Sequence, residues 1–249
     1  MRARSFATAA TLTLVLAPGV AGAEDGLAGR VTVAFEAGTQ SELSGSQMAA
    51  TQGTLIDKPV SVDSKRYRDI YKPDLRLQGL VGYGLTSHLE LVVRGSYYKA
   101  DGVGVEAGTF DGHPMSVFFD DSSLPRPYKE YGAELGLRYY ISPRGRLRSY
   151  LGPVVGVRSV SSLLVSFSVP EASTAVLNVP FTEKTTLPVF GLDLGFAFML
   201  TPQLYLGVNT GLRYQPGATQ SNTLPGLQGI DDVGARWTAP VVATLGVRF

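Results

Sequence analysis

Apolar and polar residues alternate with a period of two through most of this chain, and helix-like runs rich in Ala, Leu, Glu and Lys are absent. The first alternation sets Val31, Val33 and Phe35 against Thr32, Ala34 and Glu36, predicting a strand over about Ala28–Ala37. Three hairpins follow. Leu75 to Leu85 and Leu89 to Tyr98 flank Thr86-Ser87-His88, and Tyr131 to Ile141 and Leu147 to Val157 flank Ser142-Pro143-Arg144-Gly145. The third joins Phe190–Leu200 to Leu204–Tyr214 through Thr201-Pro202-Gln203, and its fragment LTPQLYL resembles LTSHLEL at the first turn. The last stretch, WTAPVVATLGVRF, alternates again: Val241, Ala243, Leu245, Val247 and Phe249 share one face, and Arg248 and Thr244 the other.

A lone first strand, six hairpin strands and a lone last strand make eight. Longer polar segments separate the hairpins, at about 38–72, 101–126, 160–183 and 215–236, and are expected to be loops. The weak alternation in Thr54–Val62, broken by Pro59, and the stretches Leu163–Val169 and Ala175–Val179 are expected to be strand extensions beyond a membrane; ten strands result if the last two pair within it. Pro153, Pro188 and Pro240 each remove a ladder donor, so bulges or strand ends are expected there.

The phase of the alternation decides what surrounds such a barrel. With the apolar stripe inward, Leu, Phe and Tyr from every strand would overfill the interior. With it outward, Gly leaves room inside for Glu36, Arg76, Glu90, Arg94, Glu130, Glu134, Arg138, Arg158, Asp193, Arg213 and Arg248. Turning Arg94, Arg138 and Arg213 toward lipid would cost ~2–4 kcal/mol each near the midplane. Tyr131 and Tyr139, and Phe190 and Phe198, stand eight residues apart on one face, ~20 Å along the membrane normal for tilted strands, a spacing suited to two interfacial girdles. The expected fold is an all-β, eight-stranded antiparallel up-and-down transmembrane β-barrel over residues 24–249, with short periplasmic turns and long extracellular loops.

The N-terminus agrees with export. Arg2 and Arg4 precede an apolar run from Phe6 to Ala17, a Pro18-Gly19 break and Ala21-Gly22-Ala23, which reads as a signal peptide over 1–23. The run is shorter than a spanning helix needs. Without Arg2 and Arg4 the formal charge of +1 becomes −1, so nothing favours nucleic acid. The 249 residues contain no Cys, which suits a chain crossing the periplasm unfolded and leaves no lipid-anchor thiol.

The chain from about Leu27 to Phe249 resembles small bacterial outer-membrane barrels of the OmpA, OmpX and OmpW kind, on its alternation, hairpin count and terminal Phe. The resemblance implies residence in the outer membrane and recognition of Phe249, Val247 and Leu245 by the barrel-assembly machinery. No cofactor and no metal are expected.

Candidate chemistry is sparse. His88 falls in a turn and His113 in a loop near Asp120 and Asp121, so the serine hydrolase triad that an outer-membrane lipase needs has little to build on. Asp101, Glu106, Asp111, Asp120 and Asp121 match no calcium loop. Lys65, Arg66, Arg68 and Lys72 are candidates to meet lipopolysaccharide phosphates. Val117-Phe118-Phe119 is an apolar loop segment, suited to a hairpin extension or a partner. The lumen charges carry two readings: paired, they plug a monomeric barrel with a structural or adhesion-like role; unpaired, they line a narrow channel for small solutes. Eight strands enclose a space that side chains just fill, which favours the plug.

Overall fold

A computed structural model describes residues 26–72, 74–119, 127–218, 226–227, 229–230 and 232–249. The proposed signal peptide, Asp120 and Asp121 lie outside these. In chain order the strands are β1 (Val31–Ser44), β2 (Ser46–Met48), β3 (Thr51–Leu55), β4 (Lys58–Val62), β5 (Lys65–Arg66), β6 (Tyr71–Lys72), β7 (Arg76–Gly84), β8 (Leu89–Gly102), β9 (Gly104–Phe110) and β10 (His113–Phe118). They continue as β11 (Tyr128–Tyr140), β12 (Leu147–Val160), β13 (Leu163–Val169), β14 (Thr174–Thr182), β15 (Thr185–Met199), β16 (Leu204–Gln215) and β17 (Arg236–Arg248); one helical turn, α1, spans Tyr67–Ile70.

Eight of them close into an antiparallel barrel in the order β1-β7-β8-β11-β12-β15-β16-β17, with β17 returning to β1. Closure leaves no free sheet edge in the wall. The seam runs from Thr32 opposite Arg248 to Gln40 opposite Pro240 without a shift, and Phe249 N donates to Val31 O at 2.9 Å. Leu163–Val169 and Ala175–Val179 pair with each other and not with the barrel wall, so ten strands are excluded.

The likeness of LTSHLEL and LTPQLYL has a local cause. Thr86 Oγ1 accepts from His88 N (3.2 Å) and Leu89 N (3.0 Å), and Thr201 Oγ1 accepts from Gln203 N (3.2 Å) and Leu204 N (2.9 Å). One threonine hydroxyl closes each turn in the same way. In the middle turn Gly145 takes φ 86°, which its lack of Cβ permits.

The outer surface is apolar around the whole circumference: Phe35, Val93, Leu135, Val155, Leu194, Val208 and Leu245 are exposed from seven different strands. A water-facing sheet would not present such a belt. Toward one end Tyr97 lies 5.4 Å from Tyr131 and Tyr214 5.1 Å from Trp237; at the other Tyr83, Tyr139, Phe198 and Phe249 are exposed. Two aromatic rims bounding an apolar band mark a bilayer-spanning barrel.

Three expectations are corrected. The polar segments are not plain loops. The sheet β14-β13-β10-β9-β4-β3 forms a cap beyond the barrel end opposite the tight turns, with β2 paired to β5 beside it. Its inward face, including Val60, Val62, Phe110, Val117, Phe119 and Phe167, packs with Tyr71, Tyr98 and Tyr128 as one buried cluster. Pro59, Pro114 and the turn Asp111-Gly112 (φ 49° and 82°) interrupt the alternation in sequence, although the strands continue on either side. Second, β1 begins at Val31 and reaches Ser44 rather than ending at Ala37, because above the apolar belt a strand needs no apolar face. Third, the prolines produce no bulge: the β11–β12 ladder stops pairing at Pro153 and resumes in the same register, and the β16–β17 ladder does likewise at Pro240. Pro188 pairs in register with Val157 and lies past the last β15–β16 pair. Each costs at most a local donor, without a change of phase.

Candidate functional site

The barrel interior is a continuous network of guanidinium and carboxylate groups, built by the same alternation that turns Val and Leu outward. All eleven residues read from the sequence as lumenal are buried. The register sets several pairs directly opposite: Arg94 faces Glu134 and Arg138 faces Glu90 across the β8–β11 ladder.

Glu134 is the centre. Arg94 Nη1 reaches it at 2.9 Å, Arg213 Nη2 at 3.1 Å, Arg158 Nη2 at 3.7 Å and Arg76 Nη2 at 3.8 Å. Asp193 ties two of these together, accepting from Arg94 Nη2 at 2.8 Å and Arg213 Nη2 at 2.5 Å. Glu36 lies 3.3 Å from Arg94 Nε and 3.5 Å from Arg138 Nη2, carrying the network toward the turns. There Glu90 accepts from Thr32 Oγ1 (2.6 Å) and the Tyr140 hydroxyl (2.8 Å) and lies 3.7 Å from Arg138 Nη1. Charge-assisted hydrogen bonds of this kind are the strong ones, and shared partners couple them.

Toward the cap, Arg236 donates to Glu130, to the Tyr128 hydroxyl (2.8 Å) and to Gln215 Oε1 (2.8 Å), while Arg158 Nη1 lies 3.4 Å from Glu130 Oε2. The Tyr67 ring from α1 covers the Arg236 guanidinium at 4.6 Å. This stack joins the lumen network to the cap core, since Tyr67 also meets the Tyr71 and Tyr128 rings. Burial pushes the Tyr67 phenol up to about 12 despite the nearby Arg236 cation, and burial raises Tyr71 as well, so both are neutral at physiological pH.

Sequence reasoning missed Arg236, assigned to a loop boundary, and the tyrosines that fill the lumen. Tyr150 and Tyr205 lie across the ladder from Gly195 and Gly246, where a Cβ would stand 2.2 Å and 2.3 Å from the rings. A bulky residue paired with a glycine on the inward face was the available signal.

The remaining candidates among the described residues do not converge. His88 stacks on Tyr139 and touches Ser87 Oγ at 2.9 Å in its turn. His113 Nδ1 lies 2.9 Å from Glu171 Oε2 on the exposed cap. Lys65 and Arg66 form β5, Arg68 lies in α1 3.8 Å from Asp69, and Lys72 in β6 stands opposite Asp101 in the backbone ladder with β8. Val117 and Phe119 are buried in the cap core while Phe118 is exposed. Among the described residues no group of three His, Cys, Asp or Glu is arranged to hold a metal.

No protein-family model matches the chain, and no curated protein matches it in sequence. Among solved structures it is similar to the outer membrane protein OprG from Pseudomonas aeruginosa (13% identity, 90% of this chain and 98% of that one, TM-score 0.44). It is also similar to Neisserial surface protein A (13%, 89% and 98%, TM-score 0.42) and to the outer membrane protease OmpT from Escherichia coli (8%, 88% and 97%, TM-score 0.40). The closed strand order, rather than these likenesses, defines the class: a small eight-stranded membrane β-barrel.

Proposed function

We propose that the protein is a non-enzymatic, non-conducting barrel of the bacterial outer membrane, with a structural or surface-interaction role carried by its external cap. The observation that supports this best is the convergence of four arginines on buried Glu134, with Asp193 cross-linking two of them, across the barrel's middle. A solute would have to break several charge-assisted bonds at once in a low-dielectric space, and would then meet the apolar core under the cap. Among the described residues no catalytic group gathers around His88 or His113, and a non-catalytic role is preferred to the hydrolase reading.

In this reading the cap faces the exterior and the tight turns face the periplasm. Lys65, Arg66, Arg68 and Lys72 belong to the strap of β5, α1 and β6 that borders the cap, where lipopolysaccharide phosphates are their natural partners. Phe249, Val247 and Leu245 serve recognition by the assembly machinery, and the barrel acts as a monomer. Planar-bilayer recording tests the proposal: purified protein should leave the baseline flat, whereas reproducible conductance steps would establish the narrow-channel reading instead.

A further inference from the structure

Every described lumen arginine except one has a carboxylate as ion-pair partner. The exception is Arg248, which is wholly buried and has no acidic partner among the described residues. Its Nε lies 3.4 Å from Thr32 Oγ1 and its Nη2 3.4 Å from the Tyr140 hydroxyl. Both hydroxyls direct their own protons to Glu90, so they offer Arg248 lone pairs and no charge. Glu90 in turn is shared with Arg138.

One end of the guanidinium is left over. Arg248 Nη1 is buried without a hydrogen-bond partner among the described residues, and so is the hydroxyl of Tyr205, over whose ring Arg248 Cζ lies at 5.7 Å from the centre. Glu90 lies beyond the Thr32 and Tyr140 hydroxyls; the other neighbours are mainly apolar, since Tyr205 belongs to a cluster with Ala197, Met199 and Leu80, and Tyr140 to one with Leu27 and Tyr150. A buried cation with only neutral partners is costly in such a place, and an anion accepting from two unused donors offsets that cost. Arg248 and Tyr205 are 0% and 3% exposed, and burial this deep suits a monatomic ion better than a phosphate or a carboxylate.

We propose that Arg248 Nη1 and the Tyr205 hydroxyl form a binding site for one small halide-class anion, chloride in ordinary surroundings, near the turn end of the lumen. The site adds to the plug and does not depend on the protein's role at the surface.

The full barrel, refolded in detergent, would be heated in sodium chloride, sodium bromide and sodium gluconate at equal ionic strength, with unfolding followed by heat-modified migration. The transition should be higher in chloride and bromide than in gluconate. That difference should disappear in Tyr205→Phe, which removes one hydroxyl, and in Arg248→Gln. Crystals grown in bromide should show an anomalous peak beside Arg248. If Arg248→Gln does not fold, Tyr205→Phe and the bromide peak decide. Equal transitions in the three salts, a difference unchanged in Tyr205→Phe, or water without bromide at the position would overturn the site. None of those results bears on conductance, which is the separate test of the plugged lumen.

Discussion

Arg94 and Glu134 stand directly opposite each other on neighbouring strands, and their side chains meet at 2.9 Å inside the barrel. Strand register alone creates this pair; the remaining members of the network gather around it because inward positions recur at every second residue. Glu134→Gln keeps the shape and removes the charge, leaving Arg76, Arg158 and Arg213 short of their common partner. Breaking a buried pair from one side costs ~3–5 kcal/mol, and the urea midpoint of the refolded variant should fall accordingly. An unchanged midpoint would show that Glu134 is not the hub.

The outward face should respond in the opposite sense to charge. Val93 and Leu135 lie opposite each other and are exposed on the apolar belt. Leu135→Arg should destabilise the bilayer-inserted barrel by ~2–4 kcal/mol. Leu135→Phe should be nearly neutral, and equal losses for the two would contradict the lipid-facing assignment.

Much of this was legible in sequence. Period-two alternation identified all eight barrel strands and the inward face, since burial on one side and lipid on the other force the pattern. The pairing of the final strand with Val31–Phe35 completes the eight-strand count made from the sequence. The cap was legible only in part: Thr54–Val62, Leu163–Val169 and Ala175–Val179 read as strand extensions, whereas β9, divided by Gly108 at φ 125°, and β10, which holds Pro114, read as loop, so their joining into one sheet was not foreseen. Arg236 was missed because the strand it opens rises above the apolar belt, where lumen and exterior both accept polar residues.

Gly195 and Tyr150 form a cross-strand pair in which the ring lies over the missing side chain. Gly195→Val should drive the ring away and displace Arg138, whose guanidinium stacks on Tyr150 at 4.4 Å. Overpacking of this kind costs ~1–3 kcal/mol. Truncating the ring in Gly195→Val with Tyr150→Ala should recover part of that loss, which a double-mutant cycle in urea measures.

Phe249 is half exposed at the rim, and its backbone closes the seam on Val31. Removing it should reduce the amount of barrel inserted in cells several-fold while changing the heat-modified transition of the refolded protein little. Normal surface levels of the truncated chain would refute a role in assembly recognition.

The plugged lumen is the central claim, and single-channel recording tests it most directly. The native protein in a planar bilayer, beside a variant in which Glu134, Arg94 and Arg213 are alanine and β9–β10 is replaced by a short turn, should give a flat baseline while the variant conducts. Discrete, reproducible steps from the native protein itself would contradict the account.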